Sequence, residues 1–174
     1  MGTTKKPLLM KNTPPENTLA AATGFALKLL GIRNHSHEEL ERKLRKKGFQ
    51  AELCATVLEQ LVARGLLNDR TFGEEMLQSR SQRKPSGKLK MRAELLNRGI
   101  ASDIADELLS DYKSHELCHQ AAAKKIASLR IADEAIKKRK VETFLRNRGF
   151  GWQEISTTLH HFFPTTSTMD DDIE

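Results

Sequence analysis

The chain has 174 residues and a formal net charge of +6, with 38% hydrophobic and 5% aromatic residues. That length supports one domain or a short array of units sharing a core, and the scarcity of aromatic side chains argues against a base-stacking platform for single strands. Asp170, Asp171, Asp172 and Glu174 contribute −4 of the charge, so the rest of the chain carries +10, a balance suited to polyanions or acidic protein surfaces.

Residues 1–16, with Pro7, Pro14 and Pro15 among polar residues, are expected to be a disordered N-terminal segment. The spacing then predicts a helix over 18–33. Ser36 with Glu39 forms a capping box for a helix through Leu40 and Leu44 that stops at Gly48. Phe49, Leu53, Leu58 and Leu61 continue the pattern on a further helix. The same phrase returns as Met91, Leu95, Gly99, Ile100, Ile104, Leu109 and Tyr112. It returns again as Val141, Leu145, Gly149, Phe150, Ile155, Leu159 and Phe162, with Ile155 one place out of register. The glycines stand 51 and then 50 positions apart. Each falls where a helix needs a left-handed residue to end, and the apolar residue after it can fold back on the last turn.

Further helices are expected over 69–84, started by Asn68 or Asp69, and over the alanine-rich stretch 114–130. Asp133 is a candidate cap for the next helix, whereas Pro85, Ser86 and Gly87 offer several starts for its counterpart. No alternating strand pattern occurs. These features predict an all-α chain of three tandem three-helix repeats, stacked into an elongated, curved array. Its parts would be repeats over 17–65, 66–113 and 114–163, with a disordered acidic tail over 164–174. The absence of a bilayer-length apolar stretch and of a secretory leader, with Cys54 and Cys118 at unrelated repeat positions, points to free thiols and the cytoplasm. A monomer is the simplest expectation for a capped array.

Basic residues form three groups: Arg42, Lys43, Arg45, Lys46 and Lys47; Arg80, Arg83, Lys84, Lys88, Lys90 and Arg92; and Lys137 to Lys140 with Arg146 and Arg148. Lys47, Arg98 and Arg148 immediately precede the repeat glycines, where a cation favours the negative end of the helix dipole. The residues assigned to partner or DNA contact on charge and predicted exposure are Arg42, Arg45, Lys46, Arg80, Arg83, Lys84, Lys88, Lys90, Arg92 and Arg146. The group from Arg80 to Arg92 is favoured because it flanks a Pro-Ser-Gly turn and exceeds what capping needs. A merely solvated face competes evenly with that reading.

One enzyme motif occurs. His115-Glu116-Leu117-Cys118-His119 matches H-E-x-x-H, which on a helix sets two imidazoles a turn apart beside a glutamate, as zinc proteases require. Glu142, 23 residues beyond His119, is the least unsuitable third ligand, but its spacing belongs to the repeat phrase and no strand is expected to hold a substrate. No phosphate loop, nucleotide-binding glycine pattern or nucleophile elbow is present. His35, His37, His160 and His161 sit at helix ends. No catalytic residue, metal or cofactor is therefore assigned.

The repeat phrase, with Gly65-Leu66-Leu67-Asn68-Asp69-Arg70-Thr71-Phe72 between the first two units, resembles the RecX family of recombinase regulators. The likeness runs from Leu19 to Phe163. It includes Ala26 to Arg33 followed by Ser36, Glu39, Leu40, Leu44, Gly48 and Phe49, then Gly87, Leu95 and Gly99-Ile100. It implies a curved, helical, non-enzymatic bacterial protein that binds the RecA filament on DNA. Such a protein would inhibit RecA's ATPase, strand exchange and filament growth, in the setting of recombination and DNA repair. A sequence-independent DNA binder, touching DNA without RecA, is the alternative, as is a helical adaptor for another acidic partner.

Overall fold

The computed structural model describes residues 17–164, and both expected disordered ends, apart from Pro164, lie outside that range. Among the described residues the regular structure is nine α-helices with no strand. They are α1 (Leu19–Leu30), α2 (His37–Lys47), α3 (Ala51–Ala63), α4 (Asp69–Arg83), α5 (Lys88–Asn97), α6 (Ser102–Ser110), α7 (Ser114–Ser128), α8 (Glu134–Asn147) and α9 (Trp152–Phe162). None is long and apolar enough to cross a membrane. The chain divides into two compact units after Asn68, the first holding α1–α3 and the second α4–α9.

The expected helix stops are all present. Gly48, Gly99 and Gly149 have φ of 107°, 83° and 76°, values that a side-chain-bearing residue adopts only at a cost. At each stop the amide of the next residue donates back to the helix. Phe49 N–H reaches Leu44 O (3.3 Å), Ile100 reaches Leu95 (3.1 Å) and Phe150 reaches Leu145 (3.3 Å). This is the Schellman arrangement, and it carries Phe49, Ile100 and Phe150 into the core. Gly65 (φ 68°) ends α3 in the same way, with Leu66 N–H on Leu61 O at 2.9 Å.

Helix starts follow the expected chemistry in two cases. Ser36 Oγ accepts from the Glu39 amide (3.1 Å), and Asp133 Oδ1 accepts from Ile136 (2.9 Å). In the third, α5 begins after Gly87, which has no side chain to cap with; its role emerges below.

The core of the first unit is built on Ala22 and Ala26 of α1, Leu40 and Leu44 of α2, and Cys54, Val57, Leu58 and Leu61 of α3. The second unit holds two clusters, one around Met91, Leu95, Ala105 and Leu109 and one around Val141, Leu145, Ile155 and Leu159. Tyr112 packs against both. The apparent slip at Ile155 disappears here. Cys54, Ala105 and Ile155 each stand six residues after their glycine and are 2% exposed or less, whereas Leu53 and Ile104 are only half-buried. The three repeats are in register; the equivalent of Ile155 is a cysteine in one and an alanine in the other.

A buried carboxylate ties α2 to the segment before it. Glu39, 5% exposed, takes Arg33 on both oxygens, and His35 Nδ1 lies 3.3 Å away, close enough for charge attraction though not aligned as a hydrogen bond. Burial alone would raise the Glu39 carboxyl, but Arg33 and His35 outweigh it and hold it at about 2. Burial also lowers the His35 imidazole, opposed in part by Glu39. Both groups therefore bind protons less readily folded than unfolded, so both lose stabilisation as the pH falls. For Glu39 the stabilisation is complete above pH 4.5 and lost towards pH 2. Arg33 is open to solvent, and screening leaves a contribution of about 2 kcal/mol. Chemical denaturation of the chain and of Glu39→Gln, followed on α1–α3 amides by hydrogen exchange, is expected to show a stability gap of that size at pH 6. The gap should close as the pH approaches 2.

Candidate partner-binding surface

The ten cations assigned from sequence divide by what their side chains touch. In the second unit, arginines lace α4, α5 and α6 together. Arg70 of α4 pairs with Glu107 of α6. Arg80 of α4 meets Glu94 of α5 at 3.0 Å. Arg92 of α5 takes Asp106 of α6 on two bonds (2.6 and 3.0 Å) and Ser102 Oγ at 2.7 Å. The Asp106 hydrogen bond raises the Arg92 guanidinium, and Arg92 in turn lowers the Asp106 carboxyl. Bidentate geometry uses both faces of that fork. Lys88 donates to the Ser110 carbonyl at the end of α6 (3.2 Å), and Lys90 to the Asn147 carbonyl at the end of α8 (3.5 Å).

Others remain open. Arg83 and Lys84 are exposed and have neither an ion pair nor a side-chain hydrogen bond among the described residues. Lys46 is in the same position on α2, beside Arg45, which meets Glu41 at 3.6 Å, and Arg42, which meets Glu38 at 3.9 Å. Arg146 meets Glu142 on its own helix at 3.9 Å. Such exposed i,i+4 contacts are weak and easily exchanged for a partner's anion.

The Pro85-Ser86-Gly87 turn is not an exposed loop. All three residues are buried, and the turn joins the second helix trio to the third. Gly87 N–H donates to the Arg148 carbonyl at the end of α8 (2.9 Å). Arg148 returns a hydrogen bond from its guanidinium to Pro85 O (3.2 Å) while lying 4.8 Å from the centre of the Phe144 ring. Tyr112 O–H donates to Ser86 O (2.8 Å), and burial raises its hydroxyl to about 12. The positive start of α5 thus rests on the negative end of α8. Contact this close requires two glycines. A Cβ on Gly87 would fall 2.1 Å from the Gly149 carbonyl oxygen, and one on Gly149 would fall 2.7 Å from the Lys90 amide nitrogen.

The zinc-like motif lies on α7 but does not assemble a metal centre. The His119 ring packs on Phe162 and His161, with centroids 4.5 and 4.7 Å away, and Glu142 faces Arg146. Among the described residues no three His, Cys, Asp or Glu side chains converge as a ligand set. Cys118, inside the motif, is buried, and burial raises its thiol. An open recess of about 430 Å³ between α4, α6 and α7 has a floor of Leu77, Leu108, Tyr112 and Leu117. At its rim Lys113 pairs with Glu116 (3.7 Å), and Ser81 donates to the Gln78 carbonyl, which leaves that hydroxyl committed to the backbone. Three large apolar side chains stand mostly in solvent: Ile32 after α1 is 74% exposed, Trp152 at the start of α9 is 72% and Leu89 on α5 is 68%.

Comparison with known proteins bears on this arrangement. Residues 22–61 match the family model for the first three-helix domain of RecX, and residues 68–109 match that for the second. The regulatory protein RecX of Pelodictyon phaeoclathratiforme is 56% identical over 83% of this chain and 90% of its own length. This chain belongs to the RecX family. The RecX of Chlorobium limicola is 44% identical over 87% of the chain and 95% of its own length. The crystal structure of RecX from Lactobacillus salivarius superimposes with a TM-score of 0.74, covering 82% of this chain and 95% of that one. At 21% identity that likeness speaks for the shared RecX fold alone.

Two outcomes are expected of this division. Gly87→Ala places a methyl group against backbone that cannot yield, and should cost the second unit roughly 1–3 kcal/mol. Urea unfolding read by hydrogen exchange is expected to show the loss in α4–α9 and not in α1–α3. Arg92→Ala should lower the melting temperature slightly, whereas Arg83→Ala with Lys84→Ala should leave it unchanged.

Proposed function

We propose that this chain binds the RecA recombinase or its filament on DNA and inhibits ATP hydrolysis, strand exchange and filament growth, without catalysing a reaction. It would do so in the cytoplasm and as a monomer. The observation that carries the reading is the consecutive pair of RecX three-helix domains at 22–61 and 68–109, within a chain that aligns over more than four fifths of its length with regulatory RecX relatives. The chemistry is compatible with it. Outside its last residues the chain carries +10, and several of its cations, Arg83 and Lys84 foremost, are not spent on internal carboxylates.

Within the contact set, the structure favours a division of labour. Arg42, Arg45, Lys46, Arg83, Lys84 and Arg146 are proposed to meet the partner. Arg80, Arg92, Lys88 and Lys90 hold helices to helices and contribute to the partner surface mainly by keeping it in shape.

Titration of the chain into RecA on single-stranded DNA should suppress ATP hydrolysis at less than one molecule per RecA subunit. No suppression at any ratio rejects the proposal. Binding to bare DNA is expected to be weak, whereas tight binding that falls steeply with salt would favour the sequence-independent DNA binder. Reversal of Arg83 and Lys84 to glutamate should weaken inhibition about ten-fold with helical content unchanged, taking each exposed contact at about 0.7 kcal/mol.

A further inference from the structure

Helix α8 opens with a charge pattern that its surroundings do not satisfy. Lys137, Lys138, Arg139 and Lys140 follow one another in its first two turns, near the end where the helix dipole already favours anions. Elsewhere in the same unit, Arg70, Arg80 and Arg92 each find a carboxylate on another helix. None of these four has an ion pair or side-chain hydrogen bond among the described residues. Of the carboxylates on their own helix, Glu142 is engaged by Arg146 (3.9 Å) and Glu134 lies at its first residue.

Successive helical residues step around the axis, so the four cations do not line one face. Lys137 and Lys138 are half-buried beside the core residues Val141 and Leu145, while Arg139 and Lys140 stand in solvent. Together they form a collar around the part of α8 that the core leaves uncovered.

A matching set of anions is covalently attached to the same unit. Phe163 is buried in the cluster that contains Val141 and Leu145, which fixes the root of the chain beyond it close to α8. After Pro164 come Thr165, Thr166, Ser167, Thr168 and Met169, then Asp170, Asp171, Asp172 and Glu174. Four carboxylates thus stand against four unpaired cations. The six residue-to-residue steps from Pro164 to Asp170 can span about 20 Å, the length of α8 itself at about 21 Å for its 14 residues.

We propose that the cationic collar of α8 is a docking surface for a carboxylate-rich chain, and that its occupant in the free protein is this chain's own Asp170–Glu174 segment. The segment shields the collar from external polyanions until one of higher charge density displaces it. Tethering makes the exchange effective, because the local concentration of the segment is in the millimolar range. The inference does not depend on which anionic partner the protein serves.

The test uses the full chain with Asp170, Asp171 and Asp172 changed to asparagine and Glu174 to glutamine. With heparin as the probe polyanion at low salt, this variant should bind about five-fold more tightly than the unmodified chain. Amide resonances of residues 137–141 should shift between the two proteins, independently of protein concentration. Changing Lys137, Lys138, Arg139 and Lys140 to glutamine should abolish both differences. Equal heparin affinity with unshifted resonances overturns the proposal, as does a gain that survives in the glutamine variant. A shift that grows with protein concentration assigns the collar to a second copy and overturns the intrachain contact. A single-stranded oligonucleotide whose affinity needs the collar but ignores the acidic segment assigns the surface to nucleic acid instead.

Discussion

A helix that closes with a Schellman cap needs a residue at positive φ, and this chain supplies a glycine for that purpose at each of its three repeat stops. The consequence is mechanical. Once Gly48, Gly99 or Gly149 turns, the next amide can only reach back to the last helical turn, and the side chain on that residue is delivered inward. Phe49, Ile100 and Phe150 thereby seal the bottoms of three cores whose walls are Leu40 with Leu44, Met91 with Leu95 and Val141 with Leu145. The second helix of each pair then departs in a direction set by the cap, with its apolar face turned to the same core. Local backbone stereochemistry, not helix propensity, organises the repeats.

That constraint explains what could be read from the residues alone. Apolar spacing with a terminal glycine is visible in one dimension, so the helices expected over 18–33, 69–84 and 114–130 agree with α1, α4 and α7 to within a few residues at their ends. The capping roles of Ser36 and Asp133 were equally local. The true alignment of the third repeat was not. Cys54 and Ala105 occupy the position of Ile155 with almost no exposure, yet neither is large enough to leave a hydrophobic signature. Leu53 and Ile104, one place earlier and half-buried, leave a misleading one.

The cations show the same limit. Sequence places Arg80 and Arg92 in a conspicuous basic cluster, but their carboxylates, Glu94 and Asp106, sit 14 residues further on, on the next helix. Nothing in the local pattern distinguishes them from Arg83 and Lys84, which keep their charge for solvent. The burial of the turn beside them is hidden from the sequence for a related reason. Proline, serine and glycine in a row signal a loop, and a loop is usually exposed. Here Gly87 is small because another backbone passes against it, and that backbone belongs to residues 148–150, far along the chain. A contact between two glycines has no side chain to announce it. The family relationship was legible earlier than this geometry, because it rests on the order of short local signals rather than on which surfaces meet.

The junction between Gly87 and the end of α8 has an implication for how such a protein tolerates divergence. It is composed of peptide groups: an amide, a carbonyl and the space left by two absent methyl groups. Apart from Arg148 and Tyr112, which bond to its carbonyls, a seam of this kind makes few demands on the surrounding side chains. Lineages can therefore rewrite the charges and apolar tips displayed on either flank, and so retune whom the molecule meets, while the joint beneath stays mechanically the same.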